Sequence, residues 1–227
     1  MPPRPTVIAH RGVHSDDTIE NTLRAFELAV EAGADMIEFD VRRSRDGELV
    51  VLHDASHMGV ALDSCSFQEF KRRSGFSPPL LADVLGWAVG KIAVDVELKE
   101  DGYADELMPI LKGFANVGGE LLITSFLDPV LAHLSGLDST LRLGLLLEFT
   151  AMRAVERAQA VGASTVLPNL RLASETLIAE LHDAGLEVVV WDVIAADNAE
   201  VLADRRVAGV ITDDVPGALA VRAALTA

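Results

Sequence analysis

Short apolar runs alternate with helix-length segments from one end of this chain to the other, eight times over. The runs lie at residues 7–9, 35–41, 92–98, 121–125, 141–147, 165–167, 186–191 and 207–212. None alternates strictly between apolar and polar residues, which marks parallel strands covered by helices. Between them, residues 19–32 carry a helical stripe of Leu23, Phe26, Ala29 and Val30 that Gly33 ends. Ser174 is a good N-cap for a helix over 175–184, and Gly185 stops it. Further helices are expected at 80–89, 103–114, 129–134, 151–161 and 198–204, with a last one starting at Pro216. Eight such units in 227 residues, half of them hydrophobic, predict one domain over 1–227 with the closed TIM (β/α)8 barrel architecture. An open doubly wound sheet would carry GxGxxG after its first strand, and Arg11-Gly12-Val13-His14 is no substitute.

Two segments embellish this plan. Asp46-Gly47 reads as a tight hairpin turn leading into residues 49–52. Residues 54–79 read as an irregular insertion between the second strand and the second helix, with a short helix at 66–72. A loop of that length in a compact domain is usually functional.

Formal net charge is −16, which disfavours nucleic acid and anionic membranes as partners. The same field repels phosphate compounds, so a phosphate site needs a local metal, arginine or lysine. Cys65 is the only cysteine, so no intrachain disulfide forms, as suits a reducing compartment. The apolar stretch at 6–9 is too short for a signal-peptide core, and no run reaches membrane-spanning length. A cytoplasmic location is expected, without stable membrane insertion. A homo-oligomer is compatible with all of this.

Polar residues gather where the expected strands end. His10, Arg11, Glu38, Asp40, Glu97, Lys99, Ser125 and Trp191 all fall there. In a barrel those ends share one mouth, where active sites are built. Glu38 and Asp40 lie on one face of their strand, because side chains repeat every two residues. With Glu97 they offer three hard oxygen ligands, which suits Mg²⁺ or Ca²⁺. Asp95 shares that face but sits deeper, where a bond to backbone or to a lysine would explain it. His10 and His53 are the candidates for proton transfer near neutral pH. Arg11 and Lys99 offer cations suited to phosphate oxygens, with salt bridges to the adjacent acids as the competing role.

These residues fall into an ordered set that resembles the glycerophosphodiester phosphodiesterase family. The set runs from His10-Arg11-Gly12 and Glu20-Asn21-Thr22 through the block ending Glu38-Phe39-Asp40-Val41 and on to His53-Asp54. It continues with Glu97-Leu98-Lys99, Ser125-Phe126, Trp191-Asp192-Val193 and Thr212-Asp213 with Pro216, covering nearly the whole chain. The resemblance implies hydrolysis of sn-glycero-3-phosphodiesters to sn-glycerol 3-phosphate and an alcohol, on an eight-stranded barrel and with a divalent metal. Glu38, Asp40 and Glu97 would hold the metal, and His10 and His53 would be the acid–base pair. Arg11, Lys99 and Trp191 would bind substrate. Glu20 and Asn21 would arrange the first loop, with Asn21 supporting His10. The chain departs from the family pattern at Asp192, where threonine is more usual, and the extra carboxylate bears on head-group preference. Two other readings stand beside this one. Phe67, Phe70 and Phe76 either line a groove for a lysophospholipid or form the insertion's own small core. A barrel that binds a phosphorylated ligand without turnover would make both histidines dispensable.

Overall fold

A computed structural model describes residues 5–194 and 197–225. The first strand β1 (Thr6–Ala9) leads through α1 (Leu23–Ala32) to β2 (Met36–Arg43). The embellishment follows as β3 (Leu49–Val51), β4 (Ser56–His57), β5 (Val60–Ala61) and α2 (Phe67–Ser74). Regular alternation then resumes with α3 (Leu81–Ala88), β6 (Ala93–Leu98), α4 (Ala104–Asn116), β7 (Leu121–Ser125) and α5 (Asp128–Leu137). It continues with β8 (Leu143–Leu147), α6 (Ala154–Ala160), β9 (Thr165–Pro168) and α7 (Glu175–Asp183). The last elements are β10 (Glu187–Val190), α8 (Ala199–Ala203), β11 (Val207–Thr212) and α9 (Val215–Ala224).

Strands β1, β2 and β6 to β11 pair side by side and in parallel, and β1 bonds to both β2 and β11. That double pairing closes the sheet into the eight-stranded barrel. β3 runs antiparallel along the upper part of β2, from Val41 opposite Val51 to Arg43 opposite Leu49.

Side-chain parity separates the two faces of the sheet. On β2, Ile37, Phe39 and Val41 join the large apolar cluster shared with the helices. Met36 instead meets Ile8, Leu146, Leu167, Val189 and Ile211 in a separate cluster inside the barrel. Glu38 and Asp40 share Met36's parity, so they rise from that inner floor toward the mouth. On β6, Val94, Val96 and Leu98 face the helices while Ala93 packs on the inner cluster. Asp95 and Glu97 therefore point inward as well. Register sets Asp40 opposite Glu97 and Glu38 opposite Asp95.

Local signals explain several element ends. Thr22 caps α1 by accepting from the Ala25 N–H at 3.3 Å, and Gly33 ends the helix at φ +87°. The helix starts at Leu23, not at residue 19, because Asn21 takes φ +57° and breaks the periodic stripe. Ser66 and Glu69 form a reciprocal capping box that starts α2. The insertion is more ordered than its composition suggests: it holds the β4–β5 hairpin and α2. Phe67 and Phe70 are buried with Val50, Leu52, Leu62 and Cys65, and Phe76 packs against them. Of the two readings of these phenylalanines, the structure bears out the insertion's own small core. Among the described residues, no helix is long and apolar enough to cross a membrane.

Candidate active site

The loop from β1 to α1 carries the first part of the site, and its backbone is unusual. Arg11 and Asn21 both have positive φ, at +54° and +57°. Non-glycine residues held there cost on the order of 1–3 kcal/mol each and cluster at functional sites. The Asn21 N–H donates to the Arg11 carbonyl at 3.0 Å, which ties the two contorted residues together. Gly12 lies between them and the helix at φ +82°, where a Cβ would stand 2.7 Å from the Ala25 carbonyl carbon. Only glycine allows this close approach.

Glu38, Asp40 and Glu97 are all buried, and each offers a carboxylate oxygen within 4.8 Å of the other two. Glu38 Oε2 accepts from the Arg11 backbone N–H at 3.1 Å. Asp40 Oδ2 accepts from Asn21 Nδ2 at 2.8 Å, and the Asp40 N–H donates back to Asn21 Oδ1 at 3.3 Å. Lys99 Nζ donates to Glu97 Oε1 at 2.6 Å and lies 3.2 Å from Asp40 Oδ1. Arg11 Nε stands 3.2 Å from Asp40 Oδ2, and its Nη1 donates to Glu20 Oε1 at 3.0 Å. Even so, Glu38 Oε1 is buried without a hydrogen-bond partner, and Asp40 Oδ1 is buried with only the Lys99 ammonium beside it and no well-formed hydrogen bond.

The electrostatics follow from this crowding. Burial, then Asp40 and then Glu97, push the Glu38 carboxyl well above the usual range. Burial and the neighbouring Asp40 push Glu97 up to about 7, against the pull of Lys99. Burial alone would raise Asp40 too, but Lys99, Arg11 and His53 outweigh it and hold it low. Orphaned, mutually repelling carboxylate oxygens are what a divalent cation satisfies. An all-oxygen set without thiolate or imidazole fits Mg²⁺ or Ca²⁺.

His10 continues the β1–β11 ladder by donating its N–H to the Thr212 carbonyl at 3.1 Å. Its Nδ1 lies 2.8 Å from Asp213 Oδ1. His53 Nδ1 lies 2.8 Å from Asp54 Oδ1, and its peptide carbonyl accepts from Arg42 Nε at 2.6 Å. Burial lowers the His53 pKa, although Asp40 pulls the other way. Both imidazoles thus turn Nδ1 toward a carboxylate. His10, Arg11, Glu38, His53, Glu97 and Lys99 line one cleft of about 200 Å³. Phe126, Glu148 and Trp191 extend its wall. Trp191 is anchored by donating from Nε1 to the Leu167 carbonyl at 2.8 Å, and Phe126 meets it edge-on with centroids 5.5 Å apart.

The expected site residues therefore come together, with three changes. Asn21 supports Asp40 and not His10, because the contorted loop turns its amide inward. Ser125 faces away from the cleft and donates to the Leu98 carbonyl at 2.8 Å. Asp95 bonds neither backbone nor lysine; Thr124 Oγ1 donates to it at 2.8 Å. Sequence reasoning missed Asp213 and Asp54 as histidine partners, and Glu148 as a wall residue. Asp54 is adjacent to His53 and could have been found, whereas Asp213 is 203 positions from His10.

Residues 10–216 match the model of the glycerophosphoryl diester phosphodiesterase family. A glycerophosphodiester phosphodiesterase from Caldanaerobacter subterraneus subsp. tengcongensis is 29% identical, over 92% of this chain and 93% of that protein. The crystal structure of a glycerophosphodiester phosphodiesterase from Parabacteroides distasonis superposes with a TM-score of 0.83 at 22% identity, covering 99% of this chain and 99% of the other. An Oleispira antarctica phosphodiesterase, solved with its product sn-glycerol-3-phosphate, gives a TM-score of 0.79 at 20% identity over 99% and 98% of the two chains. At that identity the two structures speak for the fold, while the match to the family model spans nearly the whole chain. The chain belongs to the glycerophosphoryl diester phosphodiesterase family and is a phosphodiester hydrolase built on an eight-stranded α/β barrel.

Proposed function

We propose that this protein hydrolyses glycerophosphodiesters to sn-glycerol 3-phosphate and an alcohol, using one divalent cation and two histidines. The observation that carries the reading is the buried Glu38, Asp40 and Glu97 triad, whose carboxylate oxygens lie within 4.8 Å of one another with Glu38 Oε1 unpartnered, and His10 and His53 lining the adjoining cleft. Glu38, Asp40 and Glu97 hold Mg²⁺ or Ca²⁺, which when bound offsets charge developing on phosphate oxygens. Arg11 and Lys99 line the cleft beside those carboxylates, so their cationic groups bind the phosphate. One histidine takes a proton from the attacking oxygen, and the other returns a proton to the leaving alcohol. Each Nδ1–H is held by a carboxylate, so each Nε2 is the atom that exchanges protons. Trp191 and Phe126 give the glycerol carbons an apolar wall. Glu20 holds the Arg11 guanidinium, and Asn21 holds Asp40. The acidic surface leaves nucleic acid aside, and a cytoplasmic enzyme acting on small diesters suits the composition.

Replacing His10 or His53 by alanine tests the reading. Glycerol 3-phosphate release from glycerophosphocholine should fall by roughly 10²–10⁴ in each variant. Near-normal turnover in folded variants of both would overturn the histidine roles, and no glycerol 3-phosphate release by the wild type would favour a binding protein.

A second reading has one observation in its favour. Phe149 and Met152, 86% and 72% exposed, stand on the loop that begins with the cleft residue Glu148. Such a rim suits the acyl chain of a lysophospholipid. Hydrolysis of lysophosphatidylcholine in clear preference to glycerophosphocholine would establish it.

A further inference from the structure

Beside the three carboxylates lies a chemically different group of donors. His10, Asp192 and Asp213 each offer one ligand atom, and these atoms lie within 4.8 Å of one another. They follow the ends of β1, β10 and β11, which are neighbours in the barrel. His10 Nδ1 lies 2.8 Å from Asp213 Oδ1, and His14 Nε2 reaches the same oxygen at 3.3 Å. One carboxylate oxygen therefore has two imidazole nitrogens against it.

The donor set decides which ion fits. Glu38, Asp40 and Glu97 offer oxygen alone, which hard cations prefer. Imidazole combined with carboxylate favours Zn²⁺ and Co²⁺. With metal–ligand bonds of about 2.0–2.2 Å, tetrahedral donors stand roughly 3.3 Å apart. The His10–Asp213 pair is already near that spacing, and Asp192 is exposed and can rotate to complete a third bond.

We propose that His10, Asp192 and Asp213 form a second metal site, selective for ions of the Zn²⁺ class, whose occupation silences the enzyme. A metal on His10 Nδ1 takes that lone pair and leaves the ring proton on Nε2. His10 then has no site on the cleft side to accept a proton. The silencing half rests on the acid–base role proposed above for His10; the binding half does not.

The test uses the whole chain, stripped with chelator and reloaded with saturating Mg²⁺ so that the oxygen site is filled. Titration with Co²⁺, followed by visible ligand-field absorption, should show one further equivalent bound. Asp192→Asn should weaken that binding roughly tenfold or more. Zn²⁺ added over Mg²⁺ should suppress hydrolysis by the wild type, and Asp192→Asn should need roughly tenfold more, each rate taken relative to its own zinc-free value. Absence of a further Co²⁺ equivalent, or equal binding by the variant, overturns the proposal. So does zinc inhibition that extra Mg²⁺ relieves equally in both proteins, since the ion then acts at the carboxylate triad. If Co²⁺ binds as described to a protein that hydrolyses no glycerophosphodiester, the metal site stands and the phosphodiesterase reading falls.

Discussion

Asp95 is the most quantitative handle on the site, and replacing it with asparagine isolates one physical effect. The residue is fully buried in the barrel, one step below Glu97, with Oδ2 lacking any donor. Burial first, and then the charges of Glu97 and Asp40, push its carboxyl from 3.8 up to about 8, although Thr124 and Arg142 pull it down. Its folded pKa thus exceeds its unfolded one. Between about pH 4 and 8 the native metal-free protein keeps a proton that the unfolded chain has released. Stability must therefore fall as pH rises through that window and level off above it. About four units at 1.36 kcal/mol each amount to roughly 5 kcal/mol across the full span. Asparagine keeps the volume and the acceptor for the Thr124 hydroxyl but cannot ionise. In chelator, Asp95→Asn should match the wild type near pH 4 and exceed it by several kcal/mol at pH 8. Urea unfolding of both proteins across this range measures the difference, and taking the difference removes the other carboxylates of this acidic chain. A gap that stays constant with pH, or one that closes as pH rises, would refute the reasoning.

Two further outcomes follow from the first loop. Asn21→Ala removes the amide that holds Asp40 Oδ2, so Mg²⁺ affinity should drop by about 10–100-fold in a calorimetric titration, as for other supporting partners of metal ligands. Asn21→Gly relieves the positive φ but also lacks the amide, so it should bind Mg²⁺ as weakly; wild-type affinity in that variant would show that the backbone alone matters. Gly12→Ala should lower stability by more than about 1 kcal/mol in urea unfolding, because both its φ and its approach to Ala25 exclude a side chain. A silent Gly12→Ala would mean that the loop can shift without cost.

The barrel was legible because its strands are apolar runs bounded by helix-length stripes, and the last strand, Val207–Thr212, agrees to the residue. Strand-end acids were legible for the same reason: parity along β2 and β6 puts Glu38, Asp40 and Glu97 inward whatever the tertiary details. What failed depended on contacts made only after folding. The family resemblance makes Asn21 a companion of His10, but the left-handed backbone at Arg11 and Asn21 sends its amide to Asp40. Asp213 ends a strand that neighbours β1 only once the barrel closes, so its pairing with His10 has no local signature. The insertion reads as irregular because two-residue strands such as β4 and β5 are too short to show a period, while the short helix expected at 66–72 matches α2.

The proposed chemistry needs one divalent cation on Glu38, Asp40 and Glu97 and two histidines in the same cleft. The most direct measurement titrates Mg²⁺ or Ca²⁺ into chelator-treated protein while following both bound ion and glycerol 3-phosphate release. Activity should be absent at the start and return in step with the first equivalent bound, and Glu38→Gln should lose binding and activity together. Full turnover in the presence of chelator, or unaltered ion binding by Glu38→Gln, would contradict it.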